Sequence, residues 1–359
     1  MPSRSPLRLG SDVHSSKERP LRGMRALGRS HWFRFGFSAL LIGILLWRID
    51  LPQAWDTLRE ANYIYLGLAL PIYSLSKLVD AYRWRLMLRQ LGSPPVTGLF
   101  GIYLMGNMAN NLFPLRLGDI IRVQIPARRY GLPRAGIAAS VFVTESLLDG
   151  LAFIFLLLGA LAFLEVPILP LTLVWGLIAL VGAGLAGAVA LARLELAAGW
   201  QDHGLFGRLP RPIREAAAGP VPEFVRGLAL LRDARLGGLA LAATFVAWLL
   251  ESLVFALFGL TFGLDLSFAD YVVVMITANM IVAMPLAPSN VGPYEVAVAA
   301  VLVLLGVENA QAGAYAVGSH LINIAWVGLS GLVTMWLMGF KFHDLFYLGA
   351  NQAEEGRST

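Results

Sequence analysis

The chain has 359 residues, 57% of them hydrophobic and 14% charged, against roughly 25% charged in an ordinary soluble domain. That balance excludes a water-soluble globular protein, and the absence of cysteine excludes disulfides, thiol chemistry and thiolate metal sites. The net charge of +5 calls for no nucleic-acid partner, because in a membrane chain the placement of charge informs more than its sum.

Residues 1–30 carry Arg4, Arg8, Lys17, Arg19, Arg22, Arg25 and Arg29 among Ser, Gly and Pro and read as a disordered, cytoplasmic basic arm. A first span follows at about 31–47. It ends Leu46-Trp47-Arg48 with no small-residue cleavage site, so it is expected to stay uncleaved. Span two, Tyr63–Tyr82, returns inward to the basic end YRWRLMLRQ. There Lys77, Asp80 and Arg83 are spaced as a ladder expected to snorkel to the interface and pair.

The next apolar stretch, Val96–Phe113, is short and broken by Gly101, Gly106, Asn107, Asn110, Asn111 and Pro114. Both its flanks are basic, so it should dip into the membrane and return. Span three (Ala135–Phe163) goes out and span four (Ile168–Ala192) comes back. The loop 193–235 holds seven arginines against five acids and belongs inside. Span five (Leu236–Phe262) exits to a loop with Asp265 and Asp270. A second broken segment, Tyr271–Pro288, runs into PLAPSNVGPYE. Spans six (Val291–Leu305) and seven (Ala310–Met338) then place the C-terminus outside.

The two broken segments match. GNMANNLFPLRLGD and ANMIVAMPLAPSNVGPYE each have an Asn-Met pair, a proline six or seven residues on, then a polar stretch with Gly and an acid. Each follows a span and precedes two, and the charge rule starts the first unit outside and the second inside. The expectation is an all-α polytopic membrane protein: about seven transmembrane helices plus two re-entrant segments in an inverted-topology repeat. Its transmembrane domain covers 31–338 (repeat one 62–192, repeat two 236–338), followed by a short tail, 339–359. Broken backbone survives in a bilayer only where protein or water surrounds it, and paired broken helices in transporters mark the substrate site.

Several polar residues are site candidates by position. Arg116 follows the first helix breaker and has Asp119 three residues on, an arrangement that pairs structurally or receives a phosphate. Arg122 reads as a headgroup anchor or a second ligand. Asn110, Asn111 and Asn290 offer amides at the breaks. Glu295 either caps the next helix with Asn290 or faces a cavity. Glu145 and Asp149, four apart in span three, share a face and suit salt bridging or proton sensing. Glu251 is mid-span, and His320 shares a face with Asn323. No metal-ligand pattern and no cofactor site is expected.

With these pieces assembled, the chain resembles the flippase-like transmembrane family typified by the membrane half of lysylphosphatidylglycerol synthases. The carrying residues are NNLFPLRLGDIIRV (Asn110–Val123), SVFVTESLLD (Ser140–Asp149) and PLAPSNVGPYE (Pro285–Glu295). Two positions depart from the pattern: Asp119 replaces a usual Glu, and Ser146 replaces an Arg that commonly follows the acid, which puts a partner for Glu145 in doubt. The resemblance implies translocation of an anionic, modified or polyprenyl-phosphate-linked lipid across a bacterial inner membrane, without an aminoacyl-transferase domain. On that reading Arg116, Arg122, Asn110, Asn111, Asp119, Asn290 and Glu295 bind substrate, and Glu145, Asp149, Glu251 and His320 couple charge. The alternative is a membrane scaffold that docks a lipid or glycan enzyme through 193–235.

Overall fold

Residues 59–112, 116–163, 171–193, 233–284 and 287–340 are described by a computed structural model. The expected first span, the arginine-rich loop, Pro114 and Pro285 lie outside them. Among the described residues every regular element is a helix: α1 (Tyr63–Leu88), α2 (Val96–Leu112), α3 (Leu117–Tyr130), α4 (Arg134–Leu161), α5 (Leu171–Arg193), α6 (Ala234–Thr261), α7 (Phe268–Ala283), α8 (Pro293–Leu304) and α9 (Asn309–Leu337). Helices α1, α4, α6 and α9 are long and apolar enough to cross a membrane. Helix α5, at 23 residues, coincides with the expected fourth span.

Local chemistry sets the starts. Asn62 caps α1 by accepting the Ile64 N–H at 3.2 Å, and Asp233 caps α6 through Arg235 and Leu236. Ser267 and Asp270 form a reciprocal capping box at α7. Helix α4 contains a π-helical turn, Val143–Leu148, which a periodicity of 3.6 does not announce; such turns concentrate at functional sites.

Both broken segments are helical hairpins, α2–α3 and α7–α8. Each is flanked by long helices, α1 and α4 for the first, α6 and α9 for the second. The arms have 17, 14, 16 and 12 residues, all shorter than the roughly 20 a crossing needs. The expected sixth span, Val291–Leu305, is represented by α8, about 18 Å long at 1.5 Å per residue, since Val291 and Gly292 belong to the turn before it.

Antiparallel packing closes the bundle. The Asn62 N–H donates to the Thr261 carbonyl at 2.9 Å, joining the start of α1 to the end of α6. Gly318, early in α9, lies under the Phe262 ring. At the other end Gly101 of α2 abuts Thr334 and Met338. Helix α9 therefore finishes level with the start of α2.

The interior inverts the soluble pattern. Lys77, Asp80, Arg83, Arg122, Asp149, Glu251 and Glu295 are buried, while Leu68, Phe155, Trp175 and Trp336 face outward. In lipid this is the stable arrangement, since apolar side chains meet hydrocarbon and charges seek partners inside the bundle.

Candidate functional site

The two hairpin tips clasp each other. Arg116, Ser289 and Asn290 are the described non-glycine residues with positive φ, at 53°, 49° and 52°, and all three sit at the breaks. Left-handed backbone at such residues costs of order 1–3 kcal/mol and collects at functional sites. Arg116 reaches across to donate from Nη1 to the Ala283 carbonyl at 3.0 Å. In return the Ser289 hydroxyl donates to the Asn111 carbonyl at 2.5 Å.

The first hairpin closes on itself through small residues and an asparagine. The Asn110 side-chain oxygen accepts the Gly118 N–H at 2.7 Å, and its amide donates to Asp119 at 3.1 Å. A Cβ on Gly118 would stand 1.9 Å from the Gly106 carbonyl oxygen, so glycine is required where the arms cross.

Beneath the tips lies a cavity of about 220 Å³. Both hairpins and helices α1, α4, α6 and α9 line it. Its charged walls are Lys77, Arg116 and Arg122 against Glu145, Asp149 and Glu251, with His320 beside them; Asn107, Asn110, Asn111, Asn279 and Asn323 add amides. Arg116, Arg122, Asn110, Asn111, Glu145, Asp149, Glu251 and His320 thus meet at one place. Asp119, Asn290 and Glu295 are not part of the lining. Asp119 holds Arg116 at 3.0 Å from behind, and Asn290 donates to the Val282 carbonyl at 3.2 Å. Glu295, through Oε2, accepts the Gly292 N–H at 2.6 Å, so it caps α8 with Gly292 where Asn290 was expected as the cap.

Three polar groups organise the walls. In the first, Arg122 bonds Glu145 and Asn107 and lies 4.2 Å from the Tyr103 ring centroid. Glu145 therefore has a cationic partner despite Ser146. Arg122 is buried, unlike a headgroup anchor, whereas Arg128 and Arg129 are exposed.

In the second group Lys77 contacts Glu251 at 2.6 Å and Asp80 at 3.2 Å, and Arg83 contacts Asp80 at 3.1 Å and Asp149 through two bonds. Trp248 Nε1 donates to Asp149 at 2.8 Å and Asn279 to Glu251 at 3.1 Å. The expected snorkelling ladder is wrong here: Lys77, Asp80 and Arg83 have side chains 7%, 5% and 1% exposed. Their partners, 66 and 174 residues away, turn the ladder inward. Glu145 and Asp149 each pair with a different arginine, which relieves the like-charge repulsion expected of them. In the third group His320 Nδ1 meets Glu295 at 2.7 Å, with the Tyr294 ring stacked on the imidazole at 3.9 Å.

Sequence reasoning missed Lys77, Tyr103, Asn107, Trp248 and Asn279 as cavity residues. A signal existed for two of them: Asn107 and Asn279 occupy the same place in the matched Asn-Met pairs.

Comparison with known proteins gives a consistent picture. The chain is 24% identical over 321 residues to a UPF0104 membrane protein of Methanothermobacter thermautotrophicus, covering 84% of this chain and 92% of that one. It is 25% identical over 330 residues to glycosyltransferase AglD of Haloferax volcanii, covering 83% of this chain and 53% of that protein. The chain thus spans about half the length of the latter. No solved structure matches. Residues 31–331 match the family described as the lysylphosphatidylglycerol synthase TM region, and this chain belongs to that family.

Proposed function

We propose that the protein is a flippase-like carrier that moves an anionic, modified or polyprenyl-phosphate-linked lipid between the leaflets of a bacterial inner membrane. The observation that carries this reading is the cavity of about 220 Å³ between two clasped, broken hairpins, with Lys77, Arg116 and Arg122 in its walls. A polar cavity inside an apolar bundle lowers the cost of passing a headgroup through hydrocarbon, which is otherwise prohibitive for charge. Arginine suits the phosphate by bidentate bonding, and the cavity amides complete its solvation. The acyl chains stay in lipid along the outward Leu and Phe surface. No bond is made or broken, so the reading is of a transporter and not an enzyme.

One relative bears the name of a glycosyltransferase, which puts glycan-carrying lipids among the headgroups to test. On this reading the hairpins enter from opposite faces, the first from the side of the arginine-rich end of α1. The N-terminal arm is cytoplasmic. Helix α9 ends beside the start of α2, which supports a cytoplasmic end for that helix on this reading, against the external C-terminus expected from seven spans.

The test is reconstitution of the purified chain into vesicles bearing fluorescent lipids of several headgroup classes, with dithionite quenching of the outer leaflet. Leaflet exchange faster than in protein-free vesicles is expected for at least one anionic class. Exchange at the protein-free rate for every class sinks the reading.

A further inference from the structure

The charged walls of the cavity balance, three cations against three carboxylates. Each wall cation is already paired, Lys77 with Glu251, Arg122 with Glu145 and Arg116 with Asp119 outside the lining, so an entering phosphate has no unspent cation to meet unless a carboxylate yields its partner. The three wall carboxylates differ in how firmly they are held. Asp149 accepts two bonds from Arg83 and a third from Trp248. Glu251, its side chain 7% exposed, is fixed by Lys77 and Asn279. Glu145 is 23% exposed and, among the described residues, is held by Arg122 alone. It also rides on the π-helical turn Val143–Leu148, a kind of element that is frequent at functional sites.

Arg122 is built to stay while its partner leaves. Its guanidinium lies 4.2 Å from the Tyr103 ring centroid, bonds the Asn107 amide and has its Nε buried without a partner. Gly106 makes room for it, since a Cβ there would stand 2.9 Å from that Nε.

We propose that Glu145 is a resident counter-ion that occupies the phosphate position on Arg122 and is displaced by the substrate's phosphate oxyanion. This rests on the translocase reading and deepens it. Empty, the carrier is self-neutralised and leaves no bare guanidinium in the bilayer. Loaded, a phosphate oxygen takes the place of Glu145 Oε1 on Arg122 Nη1, and Glu145 swings to the open side of the cavity. After release Glu145 retakes Arg122, which drives the headgroup off and resets the site. Glu145 is thus an affinity-setting competitor and Arg122 the ligand.

The test compares wild type with Glu145→Gln and Arg122→Gln, as full chains in detergent micelles. Binding is titrated with phosphatidylglycerol, phosphatidylcholine and inorganic phosphate, alongside unfolding midpoints and vesicle exchange rates. Glu145→Gln should bind phosphatidylglycerol about tenfold more tightly, the worth of one charge-assisted pair, while exchanging it more slowly because release is hindered. Arg122→Gln should lose that binding. If the glutamine variant is unstable, Glu145→Asp keeps the charge but shortens its reach, and should tighten binding by a smaller factor.

Unchanged or weaker phosphatidylglycerol binding in a stable Glu145 variant overturns the proposal. Tightening for inorganic phosphate alone overturns its assignment to a lipid headgroup. Tightening as expected, with exchange at the protein-free rate in wild type, supports the counter-ion and overturns the translocase reading instead.

Discussion

The two hairpins share a frame and reverse its chemistry. In the first, Arg122 on the return arm pairs with Glu145 on the following long helix, 23 residues on; in the second, Glu295 on the return arm pairs with His320 on its following helix, 25 residues on. The nitrogen base is on the arm in one and on the helix in the other, and the carboxylate takes the opposite place. Exposure differs too. The first hairpin's charges reach the cavity and the surface, with Arg116 and Asp119 side chains 43% and 38% exposed, whereas Glu295 and His320 are 6% and 5% exposed. The same order of elements therefore yields a hairpin that brings charge to the cavity and one that brings none. The second hairpin contributes the Ala283 carbonyl, the Ser289 hydroxyl and the Asn279 amide, and carries no charge from Tyr271 to Tyr294.

The largest effect expected from breaking this comparison is at Gly118. Alanine there would set a Cβ 1.9 Å from backbone oxygen, which no rotamer can relieve. The arms of the first hairpin must part at a cost of about 3 kcal/mol or more. Gly118→Ala should lose the monodisperse peak in size-exclusion chromatography, while Gly67→Ala, which meets nothing within 4 Å, should elute as wild type.

Next in size is the charge at the tip. Arg116→Glu removes the bond to Ala283, sets a carboxylate against Asp119 and strips a cation from the cavity. Leaflet exchange should fall at least about tenfold, the loss of one charge-assisted contact, while the variant still inserts and purifies. Retention of the wild-type rate would place the ligand-facing role elsewhere.

Much of this was legible in the sequence, for specific physical reasons. The breaks at NNLFPLRLGD and PLAPSNVGPYE announced themselves because Pro, Gly and Asn inside apolar runs free backbone groups that lipid cannot satisfy, so the chain must turn or face a cavity there. Arg116, Arg122, Glu145, Asp149, Glu251 and His320 followed because ionisable groups at membrane depth are costly. What sequence did not reveal was direction. An apolar stretch such as Val291–Leu305 reads the same whether it crosses or turns back, and its periodicity does not show that only 12 of its residues form α8. Nor could the i, i+3, i+6 ladder on α1 show that it faces Asp149 and Glu251, because those partners come from other helices. The π-helical turn hid as well; it carries Glu145 and immediately precedes Asp149, the partners of Arg122 and Arg83.

A smaller effect is expected at Glu295 and His320. His320→Leu takes from Glu295 its imidazole partner, leaving the Gly292 N–H on the carboxylate, and removes the ring under Tyr294. Stability should drop by about 2–3 kcal/mol, as for a buried polar group deprived of its partner, read as a lower urea or thermal midpoint. Headgroup preference in the exchange assay should stay as in wild type. A changed preference would mean that the second hairpin also reads the ligand, and the division of labour would fail.

The smallest expected difference separates contact from strain at the second tip. Ser289 both donates to the Asn111 carbonyl and holds φ at 49°. Ser289→Ala loses the bond, worth about 1 kcal/mol, and keeps the left-handed backbone. Ser289→Gly loses the same bond but removes the Cβ penalty of about 1–2 kcal/mol, against a rise in unfolded-state freedom of about 0.4–1 kcal/mol. Glycine should therefore lie near wild type and alanine about 1 kcal/mol below it, measured as unfolding midpoints in one detergent. If the two fall equally, the left-handed turn is not what costs energy at this tip. The clasp then rests on its hydrogen bonds alone, which would make the second hairpin the softer partner in any opening of the cavity.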